Sequence, residues 1–133
     1  PDLNALVLSQ YSDLSLKEDG YLTKNEISQL KIKCDLTVLS CCETAIGNIY
    51  DGEGVVNLSR SFFIAGSNAV ITTLWPIFDE STSILMYNYY KYIKMKKDYS
   101  RSLVKIKKDF INGTYGEKYK HPSFWAPFVY YGK

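Results

Sequence analysis

One histidine, three cysteines, four prolines and a formal net charge of only +2 are spread over 133 residues. Each scarcity excludes something. A zinc site built on Cys-x-x-Cys pairs needs four well-spaced ligands. With His121 as the sole histidine and Cys41 beside Cys42, that set is missing, and no metal is expected. An odd cysteine count is a poor disulfide framework, and neighbours such as Cys41 and Cys42 bridge only with strain. Reduced thiols in a reducing compartment are therefore expected. The small net charge argues against a nucleic-acid partner, whose domain is usually far more basic. No apolar run approaches the roughly 18 residues of a membrane span, and Pro1-Asp2-Leu3-Asn4 does not open a signal peptide. The expectation is a soluble cytoplasmic chain with no membrane contact.

Hydrophobic residues make up 46% of the sequence, enough to bury a core, and the length suits one domain or a large piece of one. Short apolar runs alternate with helical patterns, which points to an α/β fold with a mostly parallel sheet. Ala5-Leu6-Val7-Leu8 reads as a weak strand, and Asp19-Gly20 as a turn. Thr23-Lys24-Asn25-Glu26 has the form of a capping box opening a short helix to about Leu30. Leu36 to Ser40 reads as a buried strand, and residues 53 to 66 as a helix with Val55, Leu58, Phe62 and Phe63 at helical spacing and Gly66 as its stop.

Ala69 to Trp75 carries the clearest strand signal, ended by Pro76. Asp79 or Ser81 then caps a helix with Ile84, Leu85, Asn88 and Tyr92 on one face. Asp98 or Ser100 opens another, with Leu103, Val104, Ile106 and Phe110 turned inward, and Phe124 to Tyr131 closes the chain as a last strand. Between Lys91 and Lys108 eight basic residues face one acid, Asp98. The apolar residues interleaved there favour the solvated face of two helices over a binding patch for an acidic partner or RNA.

Chemistry concentrates at Leu39-Ser40-Cys41-Cys42-Glu43-Thr44. In open α/β sheets functional groups gather beyond the carboxyl ends of strands. A cysteine just past a buried strand is held by rigid scaffold yet reaches solvent, a suitable place for a nucleophile once a base lowers its pKa. Free cysteine is also a common buried residue, so position alone leaves both readings open. Ser40 lacks a surrounding Gly-x-Ser-x-Gly elbow. A phosphate-cradling loop is absent too, because the Gly-x-Gly at Gly52 to Gly54 does not follow a strand, and no cofactor is expected.

Several segments, in order and at the right separations, resemble the C-terminal part of the CHAT domain, the caspase-like cysteine peptidase domain often found beside TPR repeats and related to separase. They are Asp19 to Ile27, Leu36 to Thr44 (with Cys41 where the family has alanine), Gly47 with Gly52-Glu53-Gly54, Phe62 to Pro76, and His121 to Val129. The resemblance covers nearly the whole chain. It implies a caspase-like three-layer sandwich, a mostly parallel sheet flanked by helices, with residues 1–133 forming the C-terminal part of a single domain truncated on its N-terminal side. The missing initiator methionine fits a cut at Pro1.

By that resemblance Cys42 is the nucleophile, and its backbone N–H helps to hold the developing oxyanion. Cys41 would point back toward the sheet. Asp79, four residues after Trp75, would lie where the family shapes the pocket for the substrate's P1 side chain, and an acid there suits a basic P1 residue; its other role is a helix cap. Trp75 either lines the same pocket or belongs to the core, the core being favoured, and His121 reads as structural, bonded to a backbone carbonyl. Caspase-type enzymes carry their base about 50 residues upstream of the nucleophile, which counted from Cys42 falls before Pro1. The implied function is a cysteine endopeptidase domain acting on protein or peptide substrates, inactive without that upstream histidine. An N-terminal repeat or regulatory domain of the same parent would be its partner. The alternative is a non-catalytic interaction or scaffolding module with the same fold.

Overall fold

The computed structural model describes residues 5–8, 20–40, 53–96 and 98–132. The fold mixes helices with two small sheets, and the chain divides into two compact units with the division running through two strands of the second sheet.

The first unit starts with β1 (Ala5–Val7), paired antiparallel with β2 (Tyr21–Thr23) in the register Ala5 to Thr23. β2 escapes sequence reading because only three residues separate the Asp19-Gly20 turn from the next helix. That helix, α1 (Lys24–Gln29), opens on the expected capping box. The Glu26 backbone N–H donates to Thr23 Oγ1 and the Thr23 N–H donates to Glu26 Oε2, so two donors that a helix start leaves unpaired are satisfied reciprocally. Ile27 is fully buried, and α1 packs on α2 (Glu53–Ala65), whose Leu58 and Phe62 face inward as their spacing predicts.

Helix α2 ends at Gly66, with φ +112°. The Ser67 N–H donates to the Phe62 carbonyl and the Gly66 N–H to the Phe63 carbonyl, the paired bonds of a Schellman cap. Residues 32–35 then run alongside: Ile32 N–H donates to Ala65 O at 2.7 Å, Asn68 N–H to Cys34 O at 3.0 Å, and Asn68 Nδ2 to Asp35 Oδ1 at 3.2 Å. A parallel bridge joins Cys34 to Ser67. Cys34 is half-buried, and its thiol and the Thr37 hydroxyl both donate to Ser67 Oγ, which donates on to Ala69 O. That network makes Cys34 a structural thiol.

The three-stranded sheet has the order β3 (Thr37–Leu39), β4 (Ala69–Thr73), β5 (Phe128–Gly132). β4 is buried at all five positions, as a continuous apolar run in a central strand should be. All three elements are shorter than their apolar runs. The greatest difference is β5, expected from Phe124. Instead His121 caps a 3₁₀ turn, Pro122–Phe124, and the Trp125 and Ala126 N–H groups both donate to Pro122 O. Pro122 suits the first position of such a turn, where its missing N–H costs nothing. The first strand also differs from expectation, because β1 pairs antiparallel with β2 in a sheet of its own.

In the second unit α3 (Asp79–Lys96) and α4 (Tyr99–Ile111) pack together. Asp98, not Ser100, caps α4, accepting from the Arg101 N–H at 2.9 Å. The inward face of α3 carries Ser81, Leu85 and Tyr89, with Ile84, Asn88 and Tyr92 half-buried on its flanks. On α4 Leu103, Ile106 and Phe110 are buried as expected, but Val104 is exposed and Asp109 takes an inward place. Asp109 is tolerated there because Tyr92 Oη donates to its Oδ2 at 2.6 Å and Lys105 Nζ donates to Oδ1; a buried carboxylate without such donors would be costly.

Burial raises the pKa of Tyr89, whose hydroxyl donates to Tyr99 O. Burial, with Tyr92 and Asp109 nearby, pushes Tyr115 up to about 12. Both phenols therefore keep their protons in the fold at a pH where an unfolded chain, with tyrosine pKa near ~10, has lost them. Their contribution is complete below about pH 10 and is lost as pH rises toward 12. Thermal melts across that range are expected to show a falling midpoint, and Tyr115→Phe should make the fall shallower. A midpoint as steep in the variant as in the wild type would count against this assignment.

Candidate functional site

The sequence places the candidate chemistry in two segments, one following β3 and one following β4. β3 closes on buried Leu39, and half-buried Ser40 leads out of it. The candidates Cys41, Cys42, Glu43 and Thr44 lie outside the described residues.

The segment beyond β4, residues 74–78, joins the strand to α3. The Leu74 N–H donates to Pro127 O at 3.0 Å, fixing the end of the strand against the residues that lead into β5. Trp75 is then 44% exposed, which corrects the expectation of a core residue. The chain bends here before Pro76, so the indole leaves the alternating strand pattern and faces solvent. Ile77 turns inward and Phe78 outward at 63% exposed.

Asp79 is the first residue of α3 and is exposed. The helix start is held through Phe78: its carbonyl accepts from the Thr82 N–H, Ser81 Oγ and Thr82 Oγ1. The Phe78 ring meets Phe124 at 5.4 Å between centroids, and Phe124 meets Tyr119 edge-on. On the other side of Asp79, Glu80 pairs with Lys118 at 3.1 Å. Contacts with Tyr119 and Lys118 hold the Glu80 carboxyl below its ordinary range. Two acids thus open α3, where the helix dipole favours negative charge. Glu80 is tied to a lysine 38 residues away, and Trp75, Phe78 and Asp79 are each exposed. Sequence reading missed Phe78 and Glu80, and the Glu80–Lys118 pair left no local signal to find.

His121 does not reach toward this surface as a free base. Its Nδ1 accepts from the Ser123 N–H at 3.3 Å and lies 2.8 Å from Ser123 Oγ. It is structural, as expected, but its partner is a backbone N–H and not a carbonyl, because it caps the 3₁₀ turn. Nearby, Trp125 Nε1 donates to Lys120 O. Lys107 reaches Ala126 O and lies over the Trp125 ring, and burial lowers its pKa. Among the described residues, no three His, Cys, Asp or Glu side chains gather as metal ligands, and no helix is long and apolar enough to cross a membrane.

A family model described as the CHAT domain matches residues 1–133. Among curated proteins the chain is similar to tetratricopeptide repeat protein 28 of Mus musculus, with 29% identity over 121 residues, which cover 91% of this chain and 5% of that protein. It is also similar to tetratricopeptide repeat protein 28 of Homo sapiens, with 25% identity over the same length and coverage. The chain therefore spans only a small part of these relatives. No solved structure matches it.

Proposed function

The chain belongs to the CHAT domain family, related to the caspase-like peptidases, and from that membership we propose that it is the nucleophile-bearing part of a cysteine endopeptidase domain acting on protein substrates. The observation that carries the proposal is the extent of the match, residues 1–133, which takes in both the segment after β3 and the segment after β4. In this reading the small sheets and helices belong to a caspase-like three-layer sandwich. Cys42 attacks the scissile carbonyl, and its own N–H stabilises the oxyanion. The base is a histidine before Pro1, about 50 residues upstream of the nucleophile as in caspases.

Asp79 serves as the acid of a pocket for a basic P1 side chain. Its exposure at the start of α3, in a segment that also exposes Trp75 and Phe78, supports that role: aromatic rings can pack an alkyl stem and a carboxylate can meet the charge at its end. The test uses the parent protein extended about 60 residues upstream of Pro1, a length set by the caspase spacing. Cleavage of fluorogenic peptides with Arg or Lys at P1 is expected. In Asp79→Asn that preference should drop by roughly tenfold or more, as for a lost charge-assisted pair, while peptides with an apolar P1 are unaffected. An unchanged P1 profile would return Asp79 to a helix-terminus role alone.

A second reading, a non-catalytic interaction module, draws on the relatives, whose name refers to repeats and in which the matched region is 5% of the length. An upstream segment without a histidine would favour it.

A further inference from the structure

Helices α3 and α4 bury one side against the rest of their unit, and their outer sides have an unusual composition. On α3 the exposed positions Tyr87, Tyr90, Lys91, Lys94 and Met95 follow one another at helical spacing. On α4 the exposed positions Arg101, Val104, Lys105, Lys108 and Ile111 do the same. Neither stripe contains an acid. Asp109 is buried and engaged with Tyr92 and Lys105, and Asp98 caps α4 and pairs with Arg101. Among the described residues Lys91, Lys94, Lys96 and Lys108 have no ion pair. An open groove of about 480 Å³ lies where the two helices meet, lined by Tyr92, Met95 and Lys96 of α3, by Asp98 between the helices, which is engaged by Arg101, and by Arg101, Ser102 and Lys105 of α4.

We propose that this outer face of the α3–α4 pair is a docking surface for an acidic amphipathic helix of a protein partner, its carboxylates set against the lysines and one apolar side chain seated in the groove. Solvated helices usually intersperse acids with their bases. Here Arg101 and Lys105 have acidic partners within the helix, and the remaining lysines, Lys91, Lys94, Lys96 and Lys108, raise the local concentration of an anionic partner and orient its approach.

The apolar residues decide among anionic partners. Val104, Met95 and Ile111 are 51%, 66% and 46% exposed, and aliphatic groups gain nothing against phosphates. Tyrosine, methionine and arginine are enriched where proteins meet proteins. A lipid surface would call for a dry apolar face separated from the charges, whereas here lysines and apolar residues alternate along each stripe. The surface is independent of peptidase activity and stands whether or not Cys42 is a nucleophile.

The test is fluorescence anisotropy on the 133-residue chain with a labelled 20-residue helical peptide carrying glutamates along one side and leucines along the other. Saturable binding that weakens with added salt is expected. Lys94→Glu with Lys108→Glu should weaken it by at least tenfold, and Met95→Ser with Val104→Ser about fivefold at unchanged charge. Thermal melts verify folding, and Lys94→Gln with Lys108→Gln replaces the reversed pair if that variant fails to fold. The proposal is overturned by absent binding, by unchanged affinity in either pair of variants, or by tighter binding of a 20-mer oligouridylate or of phosphatidylserine vesicles than of the peptide.

Discussion

Replacing Gly66 by alanine is expected to lower the unfolding free energy by about 3 kcal/mol, one of the largest single-methyl effects available in this chain. Two costs combine. Gly66 holds φ +112°, a region that side-chain-bearing residues rarely adopt. A Cβ placed there would also stand 2.1 Å from the Ile32 carbonyl oxygen. That oxygen is backbone, tied down by the neighbouring Ile32 N–H bond to Ala65 O, so the methyl cannot be relieved by rotating a side chain. Either the Schellman cap opens or residues 32–35 move off the end of α2.

Gly113→Ala is the control. It has φ +75°, and its added Cβ would meet only the ends of Glu117 and Lys120 at 3.1 and 3.2 Å. Those flexible side chains can swing away, leaving about 1 kcal/mol of backbone strain. Chemical denaturation of both variants measures the difference. Equal losses would mean that the Ile32 contact is not what makes glycine necessary at position 66.

Cys42→Ala in the upstream-extended parent is expected to abolish peptide cleavage, a loss of about 10³-fold or more, because no other group supplies the covalent step. Cys41→Ala should keep most of the activity. By the resemblance to the CHAT domain alanine is usual at the position of Cys41, so its removal would restore that residue and leave the proposed nucleophile in place. Initial rates on one fluorogenic peptide, with melts to confirm folding, are sufficient. Equal loss from the two substitutions would place the nucleophile in the wrong register, and full activity in Cys42→Ala would end the peptidase reading of this segment.

Local chemistry was readable where a few adjacent residues decide the outcome. Thr23 and Glu26 sit three apart and cap α1 as their pattern predicts, because a capping box is closed by groups within one turn. Gly66 stops α2 for the same local reason. The apolar run at Ala69 to Thr73 became the fully buried strand β4. Val104 misled because periodicity marks which residues share a helix face but not how far the neighbouring elements extend over it. Asp109, a charged residue that no hydropathy pattern places in a core, went inside because Tyr92, 17 residues earlier, donates to it.

The sequence by itself determined the order of helices and strands after residue 23, the cap that starts α1, and the family. Each depends on neighbours in the chain or on a pattern preserved along it. Tertiary structure decided which distant groups meet and which side chains are exposed. Glu80 is engaged by Lys118 and His121 by Ser123, while Trp75, Phe78 and Asp79 are exposed. The reason is physical: a side chain's exposure and its ionic partners are fixed by groups tens of residues away, whose approach depends on packing that no local pattern records.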